Sequence, residues 1–192
     1  MKTFYCPKLM MGRYVSVFLN RKEFLQVCEL EVYEAKNLAY KKPSSHSSTS
    51  IIKGIALVAS FGNDGNRTGD VFSCSLTQAD MAPWWQVDLT RQAAVTIVRI
   101  KNGATWDPHR INPFNVSVGD NKSNGGRNNT LCVKDGTLPS GELRKFDCPQ
   151  VLMGRYVSVY LNRWEYLQVC EVEVYEGMCL NSRLLGRRLS FI

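Results

Sequence analysis

Residues 153–176 read MGRYVSVYLNRWEYLQVCEVEVYE, and residues 11–34 read MGRYVSVFLNRKEFLQVCELEVYE. In the later stretch Cys170, Val172 and Val174 alternate with Glu171 and Glu173. That is the period-2 pattern of an antiparallel strand with one face on a core and the other on solvent. Outward from it lie other runs rich in valine, isoleucine and aromatics: WWQVDL from Trp84, VTIVRIKN from Val95, FNVSVG from Phe114 and RYVSVYL from Arg155. Turn chemistry separates them in NDGN, DNKSNGG and TLPSGE, and no segment holds a helical period over three turns. The economical fold is all-β, two packed antiparallel sheets.

The repeated words extend further. Phe4–Glu34 aligns without a gap to Phe146–Glu176, with 23 of 31 positions identical at a spacing of 142 residues. A spacing of that size is a domain, not the unit of a stacked solenoid. The chain is therefore expected to divide into a C-terminal fragment of a preceding copy (1–35), one complete domain (36–177) and a basic tail with no counterpart (178–192). That tail carries Arg183, Arg187 and Arg188. A segment of about 31 residues cannot bury a core of its own, so the leading copy is expected to be loosely docked or unstable.

Composition narrows the function classes. With 192 residues and 44% hydrophobic content the chain can bury one full core. The net charge of +7 is dispersed along the sequence, which reads as solvated surface and not as a nucleic-acid footprint. No apolar run reaches membrane-spanning length, and lysine and arginine interrupt the residues after Met1 where a signal peptide would need an apolar stretch. Seven cysteines and four sequons, at Asn66, Asn115, Asn121 and Asn128, fit an oxidising, secretory route. Cys74, Cys132, Cys148 and Cys170 offer two bridges in the complete copy, Cys6 and Cys28 are the repeat images of Cys148 and Cys170, and Cys179 is left over. Zinc is disfavoured, since there is no C-x-x-C pair and neither His46 nor His109 stands at ligand spacing. No nucleophile, base and orienter assemble, and no phosphate-binding loop or zinc-protease motif is present, so an enzyme is not expected.

Residues 60–75, SFGNDGNRTGDVFSCS, carry the chemistry. Asp64, Asn66 and Asp70 alternate with glycines, so that carbonyl and carboxylate oxygens can converge on a hard cation, calcium being the natural one. A plain turn rich in Asp and Asn explains the same residues.

Taken together, NLAYKKPSSHSSTS from Asn37, NDGNR, SCS, PWWQVDL from Pro83 and FDCPQVLMGRYVSVYLNRWEYLQVCEVEV resemble the F-type lectins, or fucolectins, of the eel agglutinin type. The resemblance covers about 140 residues. It implies a β-jelly-roll sandwich, a structural calcium ion, glycan or glycoprotein partners, secretion and a role in recognition of the innate-immune kind. It also implies bridges Cys74–Cys170 and Cys132–Cys148. Calcium ligands fall on the Phe61 carbonyl, the Asp64 side chain, the Asn66 carbonyl, Ser73, the Cys170 carbonyl and the Glu171 carboxylate. The loop before Ser73 is about two residues shorter than in the family pattern, which makes Asp70 an alternative ligand.

The family's sugar site is carried over less well. The position of its histidine is Leu76, its first arginine Gly103, its aspartate Thr105 and its second arginine Arg110, while Trp106 and Asp107 stand where an adjacent-cysteine disulfide is often found. Three of four polar groups are missing, each worth about 1–3 kcal/mol in an unpaired ligand hydrogen bond. Fucose binding by the usual mode is therefore expected to be weak or absent. Trp106, Asp107, His109 and Arg110 supply an aromatic face and polar groups for a different glycan. A second function class is a jelly roll kept for protein contacts, as in discoidin-type domains, and a homo-oligomer is compatible with either.

Overall fold

The structure, a computed structural model, describes residues 14–30, 32, 35–104, 107 and 109–176. Among the described residues it contains twelve strands: β1 Ser44–His46, β2 Ile51–Ile52, β3 Ile55–Ala56, β4 Ser75–Leu76, β5 Asp80–Met81, β6 Trp84–Lys101, β7 Phe114–Gly119, β8 Thr130–Gly136, β9 Leu143–Tyr160, β10 Trp164–Glu165, β11 Gln168–Val169 and β12 Glu171–Glu176. Short 3-10 turns at Ala59–Gly62, Val71–Ser73 and Ser123–Gly126 complete it.

Two strands of 18 residues, β6 and β9, organise the whole. They pair antiparallel from Trp84↔Tyr160 to Asp88↔Tyr156, and again from Ala93↔Gly154 to Lys101↔Leu143, with a register shift between. The shift is a corner. Thr90 takes φ 66 there, and the first half of β6 then pairs with β1 while its second half pairs with β12. The second half of β9 continues into β7 and β8. Each long strand thus serves two layers, and the apolar faces of both layers close on one core. Trp85, Val87, Val116 and Val159 meet Val98, Ile100, Val172 and Val174 there, and Phe114 packs edge-on against Phe146 at 5.5 Å. This is the jelly-roll sandwich expected from the strand-rich runs.

Gly154 at the corner of β9 is required by packing. A Cβ on it would lie 2.4 Å from the Gly119 nitrogen and 2.5 Å from the Gly119 Cα, so two backbones touch where any side chain would separate them.

Three readings of the sequence change. The runs from Trp84 and from Val95 are one bent strand, because the corner between them keeps strand geometry on both sides. β8 and the first half of β9 are strands that the runs did not announce. The glutamate face of β12 is also not solvent-exposed: Glu171 and Glu173 are both 0% exposed, because segments distant in sequence cover that face.

Both bridges implied by the resemblance are formed, Cys74–Cys170 and Cys132–Cys148. Residues 14–30 are a different case. They repeat the sequence of 156–172, yet none is in a strand and every one is exposed, with Cys28 a free thiol. Strands form by pairing, and the positions on β4, β5 and β6 that these words would occupy are taken by the later copy. Cys6, Cys179, Thr105, Trp106 and the tail 178–192 lie outside the described residues.

The two bridges should differ in their effect on stability. Cys74–Cys170 spans 96 residues and Cys132–Cys148 spans 16. Chain-entropy estimates give about 4–5 kcal/mol for the former and about 3 kcal/mol for the latter. Chemical denaturation of the double variant Cys74→Ala/Cys170→Ala should show the larger loss; a larger loss for Cys132→Ala/Cys148→Ala would show that native-state strain, not loop closure, sets the order.

Candidate metal and glycan site

The loop from Ala59 to Cys74 is fastened at several points before any cation is considered. The Trp85 Nε1–H donates to the Ala59 carbonyl at 2.8 Å, and the buried Asn63 amide donates to the carbonyls of Ala39 and Lys42. Inside the loop each acidic or amide side chain closes its own turn. Asp64 Oδ1 accepts from Asn66 N at 2.8 Å, Asn66 Oδ1 from Thr68 N at 3.0 Å, and Asp70 Oδ1 from Phe72 N at 2.9 Å. Ser73 Oγ donates to the Asp70 carbonyl and contacts Thr68 Oγ1 at 2.9 Å. The plain-turn reading of these residues is therefore realised in their side-chain bonds.

What a turn does not explain is Glu171. The disulfide brings Cys170 and Glu171 from β12's edge onto this loop, where Glu171 Oε2 accepts from Gly65 N at 3.0 Å. Its other oxygen, Oε1, is buried and has no hydrogen-bond partner. Burial pushes the Glu171 carboxyl up to about 7; the Gly65 N–H opposes this, and the negative charges of Asp64 and Glu173 add to it. Two residues on, Glu173 is equally buried but fully compensated. Arg67 Nε donates to its Oε1 at 2.6 Å, while Arg99 and the Tyr175 hydroxyl donate to Oε2 at 2.9 and 2.8 Å. The Arg67 contact also ties the loop to β12.

The donor set therefore fits a hard cation. Asp64 and Glu171 place two carboxyl groups on adjacent segments, and one buried carboxyl oxygen lacks a partner. Among the described residues no three His, Cys, Asp or Glu side chains converge. Carboxyl oxygens are the donors that a hard cation such as calcium takes.

Of the expected sugar-site positions, Leu76, Gly103, Asp107, His109 and Arg110 fall within the described residues. Leu76 is 1% exposed and packs with Leu57 and Val71, with Phe61 and Tyr166 against them. It pairs across the short ladder with Gln168. Gln168 is also 1% exposed, and both its amide atoms lack a partner. A Cβ on Gly103 would lie 2.9 Å from the Gln168 Nε2, so the glutamine amide sits beside the position of the family's first arginine side chain. Arg110 lies with its guanidinium 4.6 Å from the centre of the Tyr166 ring and Nε 3.7 Å from Asp107 Oδ2. His109 and Asp107 are exposed, and Asp107 Oδ1 accepts from His109 N. Tyr166 also walls an open depression of about 490 Å³ lined by Ser50, Ile51, Gln78 and Ala79.

Comparison with known proteins gives this arrangement its context. A family profile described as NedA-like, galactose-binding domain matches residues 62–159. Fucolectin-1 of Anguilla japonica is 39% identical over 145 residues, covering 74% of this chain and 82% of that one. The chain belongs to the fucolectin, or F-type lectin, family. A fucolectin from Morone saxatilis serum superimposes with a TM-score of 0.66 at 34% identity, over 74% of this chain. This chain spans about half of that lectin's length, 47%. A fucose binding module of Streptococcus pneumoniae superimposes with a TM-score of 0.62 at 30% identity, covering 74% of this chain and 96% of the module. The chain thus holds a fucolectin-like carbohydrate-binding domain.

Sequence reading missed Tyr166 and Gln168, which sit in the repeated words as apparent strand residues, and the depression, which is made by loops far apart in the chain. Trp106 is outside the described residues.

The buried carboxyl generates a pH dependence for the metal-free protein. Glu171 titrates near 7 when folded and near 4.5 when unfolded, so its protonated form contributes stability fully present below about 4.5 and lost as pH rises through 7. In chelator the melting temperature should fall by several degrees, on the order of 10 °C at most, between pH 5 and pH 8. Glu171→Gln should flatten that dependence, and an unchanged slope in the variant would assign the effect to another group.

Proposed function

We propose that this domain is a secreted, calcium-stabilised glycan-binding module of the innate-immune kind whose fucose pocket is degenerate and whose sugar is held instead around Tyr166. The observation that supports this reading is Tyr166, which walls an open depression and carries the Arg110 guanidinium over its ring. Tyr166 gives the depression an apolar wall for a sugar ring, and the Arg110 guanidinium beside it supplies donors for hydroxyls.

Two features argue against the family's usual fucose mode. At the histidine position Leu76 offers a buried methyl surface, and at the first arginine position Gly103 faces a glutamine amide already in place. Desolvating sugar hydroxyls against Leu76 without a partner is unfavourable. Arg110 retains one cationic donor, held by Tyr166 and Asp107.

Calcium would be bound by Asp64 and Glu171 with oxygens of Phe61, Asn66, Ser73 and Cys170. Its charge would supply the missing partner of Glu171 Oε1 and offset the proximity of Asp64. The role is structural, since it fixes the loop that carries Phe61 beneath Leu76 and Tyr166.

Calcium should raise the melting temperature by several degrees, because a ligand of the native state at about 100 times its Kd adds about 2.7 kcal/mol. Asp64→Ala or Glu171→Ala should lose that increment; superimposable curves in calcium and in chelator for the unsubstituted protein would remove the ion from the proposal. For the sugar, a glycan array read with and without calcium should show sugar-inhibitable binding, with free L-fucose at best a poor inhibitor. Arg110→Ala and Tyr166→Ala should each weaken the signal at least tenfold. Strong fucose inhibition unaffected by Arg110→Ala would overturn the altered site, and a blank array would favour a jelly roll used for protein contacts.

A further inference from the structure

We propose that residues 14–30 are a second set of closing strands for this same domain, able to replace residues 156–172, so that the chain can complete its sandwich in direct or in circularly permuted order. The first observation is identity at the buried positions. Thirteen of the 17 residues from Tyr14 to Leu30 are identical to those from Tyr156 to Val172. Val157, Val159, Leu161, Leu167, Val169 and Cys170 are all at most 1% exposed, and their images are Val15, Val17, Leu19, Leu25, Val27 and Cys28.

The second observation is the chain path. Leu38 N donates to the Val174 carbonyl at 2.8 Å, and Val174 N donates to Asn37 Oδ1 at 3.0 Å. The start of the frame therefore lies against the end of its last strand, the condition under which circular permutation is tolerated. The image of Val174 is Val32, with five residues between it and Leu38. Five residues is within the ordinary range of a hairpin loop, so the leading copy can occupy the later copy's place without leaving its own chain.

The third observation is exposure. Every residue from Tyr14 to Leu30 is exposed, including Phe18, Phe24 and Leu25, and Cys28 is an exposed free thiol. The first half of β9, Leu143–Gly154, with its Cys132–Cys148 bridge, has no need to move, because the corner at Arg155 separates it from the part that is exchanged.

The exchange trades nearly identical contacts, and the four differences decide the preference. Phe18 for Tyr160 and Phe24 for Tyr166 keep the ring, and Lys22 replaces the exposed Trp164. Leu30 in place of the fully buried Val172 adds a methylene to a filled core, which is unfavourable. The later copy is therefore preferred and the leading copy is the minor occupant. The covalent step is an isomerisation that needs no oxidant. The Cys28 thiolate attacks Cys74 Sγ, the Cys74–Cys170 bond breaks, Cys170 leaves as thiolate, and it takes up the proton that Cys28 gave up.

The test uses the full chain with its later copy disabled by Val157→Asp/Val159→Asp. Peptide mapping after refolding in a glutathione buffer should find Cys28–Cys74 as the main bridge of a monomer, with a cooperative melt retained. Adding Val15→Asp/Val17→Asp should abolish both bridge and melt, while that pair alone should leave Cys74–Cys170 and the melting temperature unchanged. In Cys170→Ser, which leaves the core intact, Cys28–Cys74 should again exceed every other Cys74 adduct. The proposal is overturned if Cys28–Cys74 is absent from the disabled variant, whether or not that variant melts cooperatively. It is likewise overturned if the bridge appears only in disulfide-linked dimers.

Discussion

Strand β12 buries two carboxylates on one face, two residues apart, and the domain is arranged around how each is compensated. Glu173 is held by two arginines and a tyrosine hydroxyl, whereas Glu171 receives one backbone N–H and keeps an oxygen without a partner. Buried charge is tolerated when paired and costly when not. The pairing of Glu173 reaches through Arg67 into the 59–74 loop, and the disulfide at Cys170 clamps the far end of that loop to the same strand. Loop and strand are thus joined by an ion pair and a covalent bond before a cation adds anything. The deficit at Glu171 is the place where a doubly charged ion would complete the set, which is why the calcium proposal rests on that oxygen and not on the count of acidic residues nearby.

The strand runs from Trp84, Val95, Phe114 and Arg155 were legible because valine, isoleucine and aromatics on a half-buried surface are a local signal, whereas the run from Leu167 to Glu176 breaks at Cys170 into β11 and β12, which pair with different strands. The corners were not. Thr90 in a left-handed conformation and Gly154 pressed on Gly119 bend strands without interrupting them, and both depend on what lies across the sandwich. β8 was hidden because TLCVKDG mixes charge with apolar residues, and its pairing with β7 carries two register shifts that break the alternation. The exposure of the glutamate face of β12 was misjudged for a related reason. Alternation predicts solvent on one side, and the arginines that make burial feasible come from positions 67 and 99, far from β12 in the sequence.

At the candidate site the bridges could be read from the resemblance, but not what fills the gaps. Replacement of an arginine by Gly103 reads as a vacancy in the sequence. In the fold the Gln168 amide lies where a side chain on residue 103 would begin, and Gln168 is placed there by its pairing with Leu76. The lack of a side chain at position 103 and the presence of the glutamine are one packing solution distributed over three segments. Any side chain at position 103 therefore requires the glutamine to move, so adding a donor there is a matter of repacking as well.

The two copies of one phrase show how little of strand formation is local. Residues 14–30 and 156–172 share nearly every intrinsic preference, yet one set lies in strands at the heart of the sandwich and the other carries no strand at all. Propensity for extended structure is equal in both, so the difference comes from the partner edges on β4, β5 and β6 and from the apolar surface they cover. Cys170 forms its bridge because pairing carries it to Cys74, and Cys28, with the same neighbours in sequence, stays a thiol because nothing carries it there. The frame of β1 to β8 is therefore the scarce component. Two segments can complete it, one place exists, and a single methylene at position 30 against 172 is among the few differences available to set their order.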